Sequence, residues 1–228
     1  MDGLVLRARD LHKDFIKGDS KLQIIKGVSF DLMKGDCVAI MGASGAGKST
    51  LLHLLGGLDR PTSGDIYFGK KLVNLWKMSD EVLSKFRNEN LGFIFQFHYL
   101  LTEFTALENV MMPVLISGES RSAALSRAKE LLDFVGLKDR MEHRPAELSG
   151  GEQQRVAIAR AVMMRPKLIL ADEMTGNLDS ENSRRVIDLL LSLNRELGIA
   201  ILLVTHDHDV ASRMKRVITM KDGKIQTS

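Results

Sequence analysis

The chain has 228 residues, 44% hydrophobic and 27% charged, a globular composition with room for one large domain or two small ones. Its net charge of +3 suits an anionic ligand, and no lysine/arginine block stands out as a nucleic-acid arm, so no nucleic-acid partner is expected. The single cysteine, Cys37, excludes an intrachain disulfide framework and fits a reducing compartment.

The opening MDGLVLRARDLHKDF has no apolar signal core. The longest apolar stretches, 51–58 and 199–204, are far shorter than the ~20 residues of a membrane helix. On its own the chain is expected to be a cytosolic protein, free to dock to something in a membrane.

In chain order, LVLRAR (4–9), KLQIIKGVSFDL (21–32) and GDIYFGKKLV (64–73) are strand-like and bounded by turn signals, with no long helix between the first two. They predict a small, partly antiparallel sheet. CVAIM (37–41), LGFIF (91–95), LILA (168–171) and IAILLV (199–204) are unbroken apolar runs, as strands buried on both faces are.

Helical patterns lie between these runs. In 121–135, Ala124, Ala128, Leu131 and Val135 share one face, and in 182–197, Val186, Leu190, Leu193 and Leu197 do. Strands alternating with helices predict an α/β fold with a parallel-sheet core. The stretch 97–165 reads as a helix-rich subdomain. No Pro/Gly/Ser linker divides the chain, so residues 1–228 read as one cassette with subdomains.

Each buried run ends in polar residues. CVAIM is followed by GASGAGKST, LGFIF by Gln96, LILA by Asp172 and Glu173, and IAILLV by Thr205 and His206. Ligands of open parallel sheets bind at the carboxyl ends of the strands. If these strands are parallel, all four polar endings meet at one edge.

GASGAGKS (Gly42, Ala43, Ser44, Gly45, Ala46, Gly47, Lys48, Ser49), followed by Thr50, fits G-x-x-x-x-G-K-[ST] between a strand and a helix, as a P-loop requires. Glycines let backbone N–H groups curl round an anion, and the helix N-terminus adds its dipole. Lys48 would reach the β- and γ-phosphates, and the Ser49 hydroxyl would ligate Mg²⁺. Asp172 would hold the metal, directly or through water, and Glu173 would polarise the attacking water. Two adjacent acids after a strand are otherwise commonplace surface chemistry. The P-loop is what raises them.

LSGGE (148–152) reads locally as a helix start, with Ser149 as N-cap and Glu152 three residues on. Lying between GASGAGKS and LILADE, it resembles the motif of the ATP-binding-cassette (ABC) ATPases, and the resemblance covers nearly the whole chain. It implies ATP and Mg²⁺ as cofactors and a sandwich of two copies. In that sandwich Ser149, Gly150, Gly151 and Glu152 of one copy face the nucleotide on the other.

The resemblance also implies that Phe15 stacks on adenine, with a plain core aromatic as the alternative. Gln96 would sense metal and water, His206 would contact the γ-phosphate, and Asp179 in GNLD would lie at the dimer interface or simply cap the next helix. Glu173, His206, Gln96 and Lys48 form the implied catalytic set, and Ser49, Gln96 and Asp172 the implied metal set. The remaining histidines, His12, His53, His98, His143 and His208, read as surface or core residues.

Residues 96–113 would face membrane permease subunits. Their wording, with 143–161 and 172–180, is most similar to the lipoprotein-releasing ATPases, which place the chain on the cytoplasmic face of the bacterial inner membrane. Macrolide or peptide efflux and cell-division relatives are alternatives, and a soluble non-transport cassette is a further one. LSGGE, His206 and the lack of an NKxD-like stretch argue against a P-loop kinase or GTPase. Met174 stands where the family usually has proline, and is expected to leave the loop freer without abolishing activity.

Overall fold

The structure, a computed structural model, describes residues 3–18 and 20–226, with Lys17 described by its backbone alone. Strands are β1 (Leu4–Lys17), β2 (Ser20–Met33), β3 (Cys37–Met41), β4 (Ser63–Phe68), β5 (Val73–Asn74), β6 (Leu91–Phe95), β7 (Leu168–Asp172), β8 (Ala200–Thr205), β9 (Arg216–Lys221) and β10 (Lys224–Gln226). Helices are α1 (Lys48–Leu55), α2 (Asp80–Asn90), α3 (Ala106–Ile116), α4 (Arg121–Phe134), α5 (Gly150–Val162), α6 (Ser180–Leu197) and α7 (His208–Ser212).

A six-stranded sheet runs β10-β9-β3-β8-β7-β6, and only β10 is antiparallel to its neighbour. Its central strands are buried on both faces, which accounts for their unbroken apolar sequence. A second, antiparallel sheet runs β2-β1-β4-β5.

Three apolar clusters hold these layers. One packs the antiparallel sheet, α1 and α2 against one face of the parallel sheet, with Leu6, Leu32, Leu52, Leu55 and Leu170 at its centre. A second fills the other face beneath α6, including Ile169, Ile201, Val186 and Leu190. A third lies within α3, α4 and α5, around Val110, Leu132 and Val156.

Helix ends follow local chemistry. Thr105 and Glu108 close a capping box on α3, and Ser149 and Glu152 one on α5. Asp179 caps α6, which ends at Gly198 in the left-handed region (φ +63).

The helical faces differ slightly from the sequence reading. Leu132, not Leu131, is the fully buried leucine of α4, because α4 packs on α3 and α5 along Ala124, Ala128 and Leu132. Leu197 is half exposed, since α6 ends there and its buried face is completed by Ile187 and Asn194. Helix α2, which the apolar periodicity did not reveal, buries only Leu83 and is capped by Ser79, whose hydroxyl accepts from the Val82 amide. Among the described residues no helix is long and apolar enough to cross a membrane.

Candidate functional site at the strand carboxyl edge

Strand register builds the site. Phe95 pairs with Asp172, Asp172 with Val204, and Met41 with Thr205, so the residues that follow β3, β6, β7 and β8 lie side by side. The parallel convergence expected of these four endings is therefore present.

The loop 42–47 turns tightly from β3 into α1. Gly47, at φ +97, is the residue before the helix, and a Cβ on Gly42 would run into the Met220 carbonyl. Gly45 (φ +79) has open space where a side chain would stand. Lys48 is buried, and its Nζ donates to the carbonyls of Gly42 (2.9 Å) and Ala43 (3.1 Å). The nearest acid, Glu173, keeps Oε1 3.9 Å away. A buried ammonium so loosely neutralised is a place for an added anion.

The Ser49 hydroxyl donates to Asp172 Oδ1 (3.1 Å). Burial pushes the Asp172 carboxyl above the usual carboxylate range, against the hydrogen bond from Ser49. Glu173 adopts φ +42, rare for a residue with a side chain, and its amide is held by the Val204 carbonyl (3.0 Å). His206 Nδ1 lies 3.0 Å from Glu173 Oε1. A cleft of about 490 Å³ is lined by Ser49, His53, Phe95, Gln96, Phe97, Tyr99, Asp172 and Glu173. A second, of about 840 Å³, starts at Glu173 and His206 and continues past Thr175 and Ser180.

Two residues of this site escape the sequence reading. His53, four positions after Ser49, shares its helix face and faces Asp172 electrostatically, and that i, i+4 spacing from the P-loop serine was the available signal. Asn177 exchanges hydrogen bonds with Gln96, Gln96 Nε2 to Asn177 Oδ1 and Asn177 Nδ2 to Gln96 O, both 3.3 Å. No local pattern announces that pair.

Other anticipated residues lie apart. Phe15 is 45% exposed on β1, with Lys13 Nζ 4.9 Å from its ring centroid. Ser149, Gly150 and Gly151 line neither cleft. The Ser149 hydroxyl and Glu152 carboxylate are occupied by their capping box, and the Ser149 N–H holds the Glu152 carboxyl below its ordinary range. Asp179 accepts from the amides of Glu181 (3.0 Å) and Asn182 (2.9 Å). Met174 is buried in the cluster beneath α6.

A glycine-built anion loop, a buried lysine and a carboxylate at the head of a parallel sheet define a P-loop nucleoside triphosphatase. The pattern of the ABC transporter family matches residues 25–176. The chain belongs to that family and is an ATP-binding, ATP-hydrolysing cassette.

It is 52% identical to the lipoprotein-releasing system ATP-binding protein LolD of Syntrophus aciditrophicus, over 98% of this chain and 99% of that protein. It is 50% identical to the protein of the same name from Legionella pneumophila strain Paris, over 99% and 98%. Among solved structures, a dimeric bacterial ABC transporter cassette superposes with a TM-score of 0.89 at 38% identity, covering 97% of each chain. A dimeric post-hydrolysis cassette bound to ADP and Pi gives a TM-score of 0.88 at 38% identity, again over 97% of each.

Proposed function

We propose that this chain, a single cassette with a helical part over about 97–165, is the ATP-hydrolysing subunit of a complex that releases lipoproteins from the bacterial inner membrane. It works there as a dimer of two copies at the cytoplasmic face.

The supporting observation is an exposed apolar run directly after Gln96 in a chain so similar to the LolD proteins over its whole length. Phe97 is 62% and Tyr99 65% exposed, followed by Leu101 and Phe104. Apolar surface of this kind marks a protein contact, and in this reading residues 96–113 dock to membrane permease subunits.

The donors present fit Mg²⁺ with ATP. Among the described residues no group of three or more His, Cys, Asp or Glu side chains forms a metal cage. The available donors are oxygens, the Ser49 hydroxyl, the Asp172 carboxylate and the Gln96 amide, as suits an ion that takes few protein ligands and completes its shell with phosphate and water. When bound, Mg²⁺ would neutralise charge on the β- and γ-phosphate oxygens.

Backbone amides of 42–50 cradle the phosphates, and Lys48 Nζ supplies charge to them. Glu173 Oε1 takes the proton of the attacking water, and His206 holds that carboxylate in place through Nδ1. Phe15 offers its exposed ring to the base. Ser149–Glu152 and Asp179 act across the dimer, completing the partner copy's site.

The test is to tag the chain, solubilise native membranes gently and identify what co-purifies. Membrane subunits that stimulate its ATPase in the presence of lipoprotein support the reading. A drug or peptide exporter, or a division-site protein, would replace the biological role.

A further inference from the structure

We propose that Arg160 is a positioning residue for Gln96. It locks the segment leaving Gln96 onto the helix that begins at Ser149, so that neither moves without the other. The inference rests on the reading of Gln96 and Ser149 given above.

Arg160 lies near the end of α5, whose first residues are Gly150 and Gly151. Its Nη1 donates to the Tyr99 carbonyl (2.7 Å) and its Nη2 to the His98 carbonyl (2.8 Å). Two consecutive carbonyls are thus held by one planar fork, which a lysine ammonium cannot reproduce. The guanidinium is strongly desolvated, which lowers its pKa. Those two backbone oxygens are its hydrogen-bond acceptors, so withdrawing it from them leaves a partly buried cation unpaired.

The clamped residues are themselves committed. Tyr99 sits at φ +45, a conformation that a tyrosine keeps only where its surroundings impose it. Its ring meets Phe95 edge-on, with centroids 5.3 Å apart. Phe95 is the residue before Gln96, and it pairs with Asp172 in the sheet. Gln96 is therefore bracketed by Phe95 and Tyr99, which touch each other.

Helix α5 makes a second contact with this segment. Gln153 lies against the His98 ring, and its Nε2 donates to the carbonyls of Pro145 and Leu148, both 3.0 Å, just ahead of Ser149. Beyond Tyr99, Asn109 of α3 binds the backbone of Leu101 and Phe104. The backbone of His98 and Tyr99 is thus held by α5, while the Tyr99 ring ties the same segment to Phe95 of β6. Any shift of α5 relative to β6 must drag His98 and Tyr99, and so load Gln96.

The experiment compares wild type and Arg160→Lys in the complex with its co-purifying membrane subunits. We measure steady-state ATPase kinetics, thermal unfolding with ATP, and amide hydrogen exchange. The expected result is a kcat, per folded protein, lower by about ten- to a hundredfold, KM within about twofold, an unfolding temperature lower by no more than a few degrees, and faster exchange confined to 97–104.

Unchanged kcat, or a raised KM with unchanged kcat, overturns the proposal. So does a lower kcat explained entirely by a smaller folded fraction. If Arg160→Lys does not fold, Arg160→Gln, whose uncharged amide can reach only one of the two carbonyls, carries the same test with the same expected kcat effect. A wild-type complex without ATPase activity would instead overturn the reading of the site itself.

Discussion

His206 Nδ1 and Lys48 Nζ both address the same oxygen, Glu173 Oε1, at 3.0 Å and 3.9 Å. The carboxylate is thereby aimed from two sides, by the first residue of α1 and the residue after β8, which are remote in sequence. Glu173→Gln keeps the shape and the contact to His206 but cannot take a proton. We expect kcat to fall about 10²–10⁴-fold with ATP binding retained, as checked by single-turnover ATPase and nucleotide-binding assays. His206 is mostly exposed, so His206→Ala should lower kcat while changing stability by no more than about 0.5 kcal/mol.

Asp172 stands against the fold until a cation arrives. Burial raises its pKa above the unfolded value, so its favourable contribution is present below the ordinary carboxylate range and is lost as pH rises through the folded value. At neutral pH the ionised group is a cost. Asp172→Asn, which preserves an acceptor for Ser49, should stabilise the nucleotide-free protein by about 1 kcal/mol. It should also remove the Mg²⁺-dependent part of the ATP-induced shift in Tm. Thermal unfolding with and without Mg²⁺ and ATP reads both effects.

Asp31 behaves in the opposite sense. The hydrogen bond from Arg7, with Arg9 adding to it, holds its carboxyl below the ordinary range. That stability is present above the unfolded pKa of about 4 and is lost as pH falls through the folded value. The group is partly exposed, so Asp31→Asn should cost less than about 1 kcal/mol at pH 7. It should also give a shallower fall of Tm between neutral pH and pH 3.

Asn109 is fully buried and uses its whole amide on the backbone of the segment after Gln96. It accepts from the Leu101 amide and donates to the carbonyls of Leu101, Phe104 and Thr105, all within 3.1 Å. Asn109→Leu should cost about 2–3 kcal/mol in urea unfolding. Because it releases Leu101 and Phe104, it should also weaken stimulation of the ATPase by the membrane subunits.

Met174 stands where the resemblance to the ABC ATPases leads proline to be expected. It is 1% exposed and packs beneath α6, while the turn around it is held by Gly176 N to Glu173 O (2.9 Å) and Leu178 N to Thr175 O (3.0 Å). Packing and turn bonds thus supply much of the restraint that a proline ring would. Met174→Ala should destabilise by about 2–4 kcal/mol. Met174→Pro should leave the ATPase rate of the intact complex within a few fold, whereas an inactive complex restored by that change would show that the loop needs the ring.

Elements with local causes were legible from neighbouring residues alone. Unbroken apolar runs marked the strands covered on both faces, glycine and lysine spacing marked the anion loop, and serine three residues before glutamate marked the start of α5. These features depend on a few neighbouring residues, so they survive without knowledge of the rest. Local periodicity failed where packing partners decide burial, as at Leu131, Leu197 and α2.

Which distant groups meet became visible with the packed fold. Ser49 and Asp172 are 123 positions apart, Gln96 and Asn177 are 81, and Arg160 and Tyr99 are 61. His53 shares a cleft with Asp172 because α1 packs against β7. Such pairs follow from strand order, register and helix packing, which are set by long-range burial of apolar surface and leave no spacing in the sequence to read.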